Sequence, residues 1–256
     1  MGQVQDKVAL VTGGASGVGR ETVLLLLREG ARVAISDINA EAGAALLTEL
    51  QAQYAERVLF VRHDVTSEAD WGSTIATVQA QWEVLDILIN NAGILIPGSI
   101  ATATLAQFRQ LMQVNADSCF LGCQAGVAAM RERGGSIVNM ASVSSWLPIE
   151  GYAGYSASKA AVAALSRATA LHCRKSGLAV RVNSLHPDGI YTPMMQASAP
   201  GVPAQYLLFD PKTNPKGRAC MPEQIAQVLL FLASDASKAI SGAEIRADSA
   251  ILGMGL

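Results

Sequence analysis

Apolar positions recur along this chain in two alternating rhythms. Short runs dense in Val, Ile and Leu occupy residues 8–11, 32–36, 58–62, 85–90, 136–141 and 180–185, and longer stretches between them repeat at helical spacing. Those helices are expected to begin near Gly17, Ala40, Ser67, Leu105, Tyr152 and Pro222. A strand that is apolar at every position, such as Val8-Ala9-Leu10-Val11, is expected where both faces of a sheet are covered. Strands alternating with helices predict a doubly wound α/β fold, with a parallel sheet, right-handed crossovers and helices on both faces. No low-complexity linker or internal repeat divides residues 1–256, so one domain is expected.

The rhythm fails late. Six of the nine prolines fall between Pro193 and Pro222, amid Met194, Met195, Tyr206, Leu207, Leu208 and Phe209. A stretch of that length outside the strand–helix alternation is expected to be a substrate lid over about 193–222. The plainer alternative is a surface excursion packed on the sheet.

Composition narrows the partners. Half the residues are apolar and 16% charged, and heptads do not persist, which excludes disorder and coiled coil. Nineteen Lys and Arg face 21 Asp and Glu, for a net charge of −2. That balance supplies no electrostatic footprint for nucleic acid or an anionic membrane. The run Leu24–Leu27 is far short of a membrane span, and no basic stretch followed by an apolar core opens the chain. Cys119, Cys123, Cys173 and Cys220 form no CxxC pair or grouping with His, so they are expected as core residues in a reducing, cytoplasmic setting, with no metal site.

Candidate chemistry begins after the first strand, in Thr12-Gly13-Gly14-Ala15-Ser16-Gly17-Val18-Gly19. Glycines there permit a tight strand-to-helix turn whose backbone N–H groups can approach a pyrophosphate at the positive end of the helix. Asp37, ending the second strand, can accept hydrogen bonds from an adenosine ribose and would repel a 2′-phosphate, which predicts NAD over NADP. Asp64 and Val65 follow the third strand; Asp64 either borders the adenine or caps the next helix, as Ser67 could. Asn90-Asn91-Ala92-Gly93 ends the fourth strand at the carboxyl edge of the sheet, as a ligand contact or as a plain turn.

Tyr155 and Lys159 lie one helical turn apart on the same face. A phenol ordinarily titrates near 10, and an adjacent ammonium favours its ionised form, as would the positive charge of an oxidised nicotinamide. Ser142, at the end of the fifth strand, can bring its hydroxyl to that phenol. Asn115 is an amide inside a helical segment, where amides are disfavoured, so a specific partner such as a water or a backbone carbonyl is expected.

Together TGGASGVG, NNAG, Asn115, Ser142 and YSASK resemble the short-chain dehydrogenase/reductase family, in its compact one-domain type with a Rossmann-type fold. The resemblance spans essentially the whole chain. It implies a catalytic tetrad of Asn115, Ser142, Tyr155 and Lys159. Tyr155 would exchange the alcohol proton and Ser142 orient the substrate oxygen. Lys159 would bind the nicotinamide ribose and acidify Tyr155, and Asn115 would hold a relay water. Cofactor contacts are expected from Gly13, Ser16, Gly17, Val18, Gly19, Asp37, Asp64, Val65, Asn91, Ala92, Gly93, Tyr155, Lys159, Ile190 and Thr192. Two segments depart from the family pattern: Pro187-Asp188-Gly189 in place of Pro-Gly, and Asp248-Ser249-Ala250 in place of Asp-Gly-Gly.

The expected substrate rim, Ile94–Pro97, Val143–Tyr152 and the lid, is apolar and nearly uncharged, which suits a hydrophobic alcohol or ketone. The stretches NMASVSSWLPIE and HPDGIYTPMMQAS and the ending ILGMGL are similar to bacterial 3β/17β-hydroxysteroid dehydrogenases, implying a steroid. A broader secondary-alcohol dehydrogenase, a 3-oxoacyl reductase and a catalytically silent nucleotide sensor remain alternatives. His186 is read as a strand-end packing residue or a substrate contact. Apolar helix faces at 126–130 and 160–165 predict a subunit interface, and the family resemblance implies a homotetramer.

Overall fold

A computed structural model describes residues 2–198 and 200–253. The six apolar runs become strands β1 (Val8–Thr12), β2 (Arg32–Asp37), β3 (Val58–Arg62), β4 (Ile87–Asn90), β5 (Gly135–Met140) and β6 (Val180–Pro187). Two short strands, β7 (Gly189–Ile190) and β8 (Ala219–Cys220), pair with each other, and β9 (Glu244–Ala247) completes the main sheet. Its order is β3-β2-β1-β4-β5-β6-β9, every neighbour parallel. The chain runs outward from β1 to β3 and returns to place β4 beside β1. The carboxyl ends of β1 and β4 therefore flank the topological switch point, where open α/β sheets bind ligands.

Side-chain alternation along each strand divides the core into two layers. Ala9 and Val11 pack toward helices α1 (Gly17–Arg28), α2 (Ala40–Tyr54) and α9 (Pro222–Ala233), among Leu26, Leu27, Leu46, Leu229 and Leu230. Val8 and Leu10 face α3 (Glu68–Trp82), α5 (Ser118–Ala129) and α6 (Ala153–Lys175), among Trp71, Val78, Cys123 and Val162. Each fully buried Leu contributes roughly 1.5–3 kcal/mol of apolar burial, so the layers fix the strand ends to which the site is attached. Caps set the helix starts: Asn39 accepts from the Ala42 N–H, and Ser67 from the Asp70 N–H.

Three departures have physical causes. The helix expected from Leu105 is divided into α4 (Leu105–Leu111) and α5 by a π-helical turn, Met112–Asp117, closed by Ser118 N–H on the Gln113 carbonyl. β9 is not among the apolar runs because Glu244-Ile245-Arg246-Ala247 is short and charged at alternate positions, as an edge strand can be. The expected lid holds two short helices, α7 (Pro193–Ser198) and α8 (Ala204–Leu207), joined by turns. Met1, Ala199 and the last three residues of the ILGMGL ending lie outside the described residues.

Candidate active site

The strand ends and their loops enclose a cleft of about 390 Å³ that runs from Asp37 to Tyr155. Fourteen of the fifteen expected cofactor residues line it: Gly13, Ser16, Gly17, Val18, Asp37, Asp64, Val65, Asn91, Ala92, Gly93, Tyr155, Lys159, Ile190 and Thr192. Gly19 is outside this lining. A Cβ there would run into the Gly13 carbonyl, so its part is to let α1 pack close against the turn.

The turn between β1 and α1 is held from three sides. Gly13 (φ +61°) and Gly17 (φ +52°) occupy the left-handed region that glycine enters without a Cβ penalty. Gly14 N–H donates to the Ser36 carbonyl (3.0 Å), and Ala15 N–H to Asp37 Oδ2 (3.1 Å). From β4, Asn91 Nδ2 donates to the carbonyls of Thr12 (2.9 Å) and Gly13 (3.2 Å). Thr12 Oγ1 accepts from the Asn91 and Ala92 N–H groups, both at 3.0 Å. Thr12 is a positioning residue that sequence reasoning passed over; its place as the first residue of TGG was the available signal.

At the far end, Asp64 Oδ1 accepts from Thr66 N–H (3.0 Å) and Oγ1 (2.7 Å) while Ser67 caps α3, so Asp64 forms a local turn beside the cleft. Lys159 is the one Lys or Arg side chain among the described residues lining the cleft. Arg20, the nearest cation in sequence, is engaged by Glu21 (3.0 Å) and Glu49 (2.7 Å).

The reacting end gathers Ser142, Tyr155 and Lys159 in one lining. Lys159 is buried, and its Nζ donates to the Met140 carbonyl (2.8 Å) and stands 5.7 Å from the Tyr155 ring centre. Burial draws the ammonium down to about 8. Burial also pushes the Tyr155 phenol up, and a hydrogen bond with the Ser142 side chain only partly reverses this. In the cofactor-free protein desolvation therefore dominates at the phenol, and the acidification expected from two cations awaits the positive charge of the nicotinamide beside Lys159.

Asn115 sits in the π-helical turn, a distortion often found at functional sites. Its Nδ2 donates to the Ile94 carbonyl (3.0 Å) and Ser158 Oγ (3.0 Å), and its Oδ1 accepts Ile94 N–H (2.8 Å). Both amide hydrogens are spent on protein, one of them on the backbone carbonyl expected as a partner, and the side chain fastens the 93–94 loop to α6. A Cβ on Gly93 would stand 3.0 Å from Asn115 Oδ1 and 3.4 Å from Lys159 Nζ; the glycine keeps that wall thin. His186 is buried behind Ser142 and does not line the cleft. Asp188 does line it, and Arg218 grips its carboxylate through two 2.8 Å hydrogen bonds.

A nucleotide cradle and a Tyr–Lys–Ser cluster at the switch point of a parallel sheet define a Rossmann-type oxidoreductase. Residues 13–250 match a family model described as enoyl-(acyl carrier protein) reductase. A 3-beta-hydroxysteroid dehydrogenase of Comamonas testosteroni is 64% identical, over 99% of both chains. Cyclopentanol dehydrogenase of Comamonas sp. is 38% identical, over 97% of this chain and 98% of that protein. A crystal structure of a short-chain type dehydrogenase/reductase from Mycobacterium marinum superposes with a TM-score of 0.86 and 30% identity, covering 96% of each chain. The chain belongs to the short-chain dehydrogenase/reductase family and is an oxidoreductase. Membership implies a nicotinamide cofactor, and the glycine cradle, with backbone N–H groups at the start of α1, fits its pyrophosphate.

Proposed function

We propose that the protein is an NAD-dependent hydroxysteroid dehydrogenase, interconverting a 3β- or 17β-hydroxyl and its ketone. One observation carries this reading: the Tyr155–Ser142–Lys159 cluster opens onto an apolar rim in a chain 64% identical to a 3-beta-hydroxysteroid dehydrogenase. Ile94, Val114, Ile190 and Met194 line the cleft beside that cluster, apolar side chains that suit a flat hydrophobic ligand.

In oxidation Tyr155 takes the hydroxyl proton, and in reduction it returns one to the carbonyl oxygen. Ser142 donates its hydroxyl hydrogen to the same substrate oxygen. Lys159 holds positive charge beneath the phenol, and Asn115 keeps the loop at Gly93 closed over both. When bound, the nicotinamide accepts or donates the hydride, and its oxidised form adds a positive charge. Bringing even an unburied phenol from about 10 toward 7 requires roughly 4 kcal/mol, and the burial of Tyr155 adds to that demand, which two nearby cations in a dry cleft can meet.

Asp37 supports NAD. Its carboxylate lines the cleft with no Lys or Arg among the described residues there, apart from Lys159 at the reacting end, to balance a 2′-phosphate. Exposed Leu105, Phe108 and Phe120 on α4 and α5 support a homotetramer, which light scattering at micromolar concentration tests; a monomer would contradict it. The unbridged cysteines, three of them buried, support a cytoplasmic setting. No helix among the described residues is long and apolar enough to cross a membrane.

The decisive assay is a dehydrogenase screen with NAD and NADP against 3β- and 17β-hydroxysteroids, cyclopentanol and hydroxyacyl thioesters. Steroid turnover with NAD is expected to lead. Thioester activity with none on steroids would overturn the substrate.

A further inference from the structure

The reaction as derived leaves His186 without a part, although it is completely buried near the end of β6. Its Nδ1 lies 3.0 Å from the Ser142 backbone carbonyl and its Nε2 lies 2.8 Å from Ser184 Oγ. A carbonyl only accepts, so Nδ1 carries the hydrogen. Burial draws the imidazole down to about 4 and keeps it neutral, leaving Nε2 bare to accept the Ser184 hydroxyl. The same tautomer accounts for Glu244. Its Oε2 stands 3.7 Å from Nε2 without a hydrogen-bond partner, while Arg167 pairs with Oε1.

The ring is used on its face as well. The Trp146 indole stacks on the imidazole, with centres 4.2 Å apart and planes 12° from parallel. Ser142 and Trp146 are the two ends of one short turn, closed by Ser145 N–H on the Ser142 carbonyl (3.1 Å) and Ser144 N–H on Ser142 Oγ (3.2 Å). One imidazole thus fixes both ends, its edge against Ser142 and its face against Trp146.

We propose that His186 is a positioning residue for the reaction: by donating Nδ1–H to the Ser142 carbonyl in a fixed tautomer, it sets where the Ser142 hydroxyl stands beside Tyr155. This rests on the reading that Ser142 acts on the substrate oxygen. Small displacements of such a group lower the chemical step far more than binding.

The test contrasts two amides. His186→Asn places its nitrogen near the position of Nδ1, and His186→Gln places its nitrogen near that of Nε2. Both are made in the native and the Ser142→Ala backgrounds, with kcat and KM on a 3β-hydroxysteroid and NAD affinity by calorimetry. His186→Gln is expected to lower kcat about tenfold with KM and NAD affinity within about twofold, and His186→Asn to stay within about threefold of native. Neither should lower kcat further once Ser142 is Ala. A native rate in His186→Gln, or an undiminished loss in the Ser142→Ala background, overturns the proposal. If His186→Gln melts early, His186→Asn decides: a tenfold loss there in a well-folded enzyme overturns it too. A native rate in Ser142→Ala alone would instead sink the reading of Ser142.

Discussion

The cofactor cradle and the lid are built on opposite principles. The cradle is tied across strands: Gly14 and Ala15 hang on the end of β2, and Asn91 from the end of β4 holds the carbonyls of Thr12 and Gly13. The lid is tied mostly to itself. Asp210 Oδ1 accepts from Lys212 and Thr213 N–H at 2.7 Å, and Asn214 Nδ2 donates to the carbonyls of Gln205 and Leu208. Its side chains stay in water, with Tyr206 67% exposed and Met194 44%. Long-range bonds tie the cradle to the sheet, whereas the mostly local bonds of residues 193–222 are what the lid proposed there would need in order to move as a piece. A fixed cofactor geometry beside an adaptable apolar cover suits one chemistry on hydrophobic substrates of variable shape.

Substitutions can pull the two halves apart. The largest effect is expected at their junction. Tyr155→Phe removes the exchangeable proton and should lower kcat by about 10³-fold, roughly 4 kcal/mol, in a steroid dehydrogenase assay. Calorimetric NAD affinity should stay within about twofold, because the phenol is one contact among the many that line the cleft. Loss of both together would mean that chemistry and cofactor binding are not separable here.

Lys159 comes next, read by stability. Its folded value of about 8 lies below the ordinary 10.5, so between those pH values the unfolded chain binds more protons. Stability therefore rises with pH across that window. Lys159→Met lacks the buried charge and should be more stable than native at pH 7, by on the order of 3 kcal/mol, with the gap closing as pH rises from about 8 to 10.5. Denaturant melts at pH 7 and pH 10 check this. A constant gap would show that the ammonium is better solvated than its burial implies.

Asp37→Ala addresses the cradle alone. Losing a charged hydrogen-bond acceptor should weaken NAD about 30-fold, roughly 2 kcal/mol, and narrow the preference over NADP, with KM for the alcohol unchanged. Unaltered NAD affinity would leave Asp37 only its structural bonds to Ala15 and Asn39.

What the sequence made legible follows the same division. Six of the seven main strands announced themselves as apolar runs, and the cradle residues were readable because each loop follows its strand directly. Asn115 was flagged as an amide misplaced in a helix, but the π-helical turn that accommodates it leaves no mark in hydrophobic periodicity. The desolvation that pushes the Tyr155 phenol up is not legible either, because sequence spacing gives the distance to a cation and says nothing of burial. Ser249 and Ala250, standing where the family pattern has glycines, hold φ of +46° and +66°, strain visible only in the backbone. Asp188, an unexplained insertion in the sequence, acquires its meaning from Arg218, thirty residues away.

That pair is where the lid meets the body. Besides it, the C-terminal end of the lid is fastened by the two-residue pairing of β7 with β8, including Gly189 N–H on the Arg218 carbonyl (3.0 Å). The Asp188 side chain is 9% exposed and the Arg218 side chain 42%, so water screens one partner and the ion pair contributes little, about 1 kcal/mol. Its value lies in direction, since two parallel hydrogen bonds fix the angle at which the lid leaves the sheet. Arg218→Met should accordingly raise KM for a steroid alcohol about fivefold, leave NAD affinity unchanged and speed proteolysis between residues 200 and 217. The KM effect should shrink in 1 M salt, where the native ion pair is itself weakened. If NAD affinity fell in step with KM, the lid would be a wall of the cofactor site, and its mechanical independence from the cradle would be wrong.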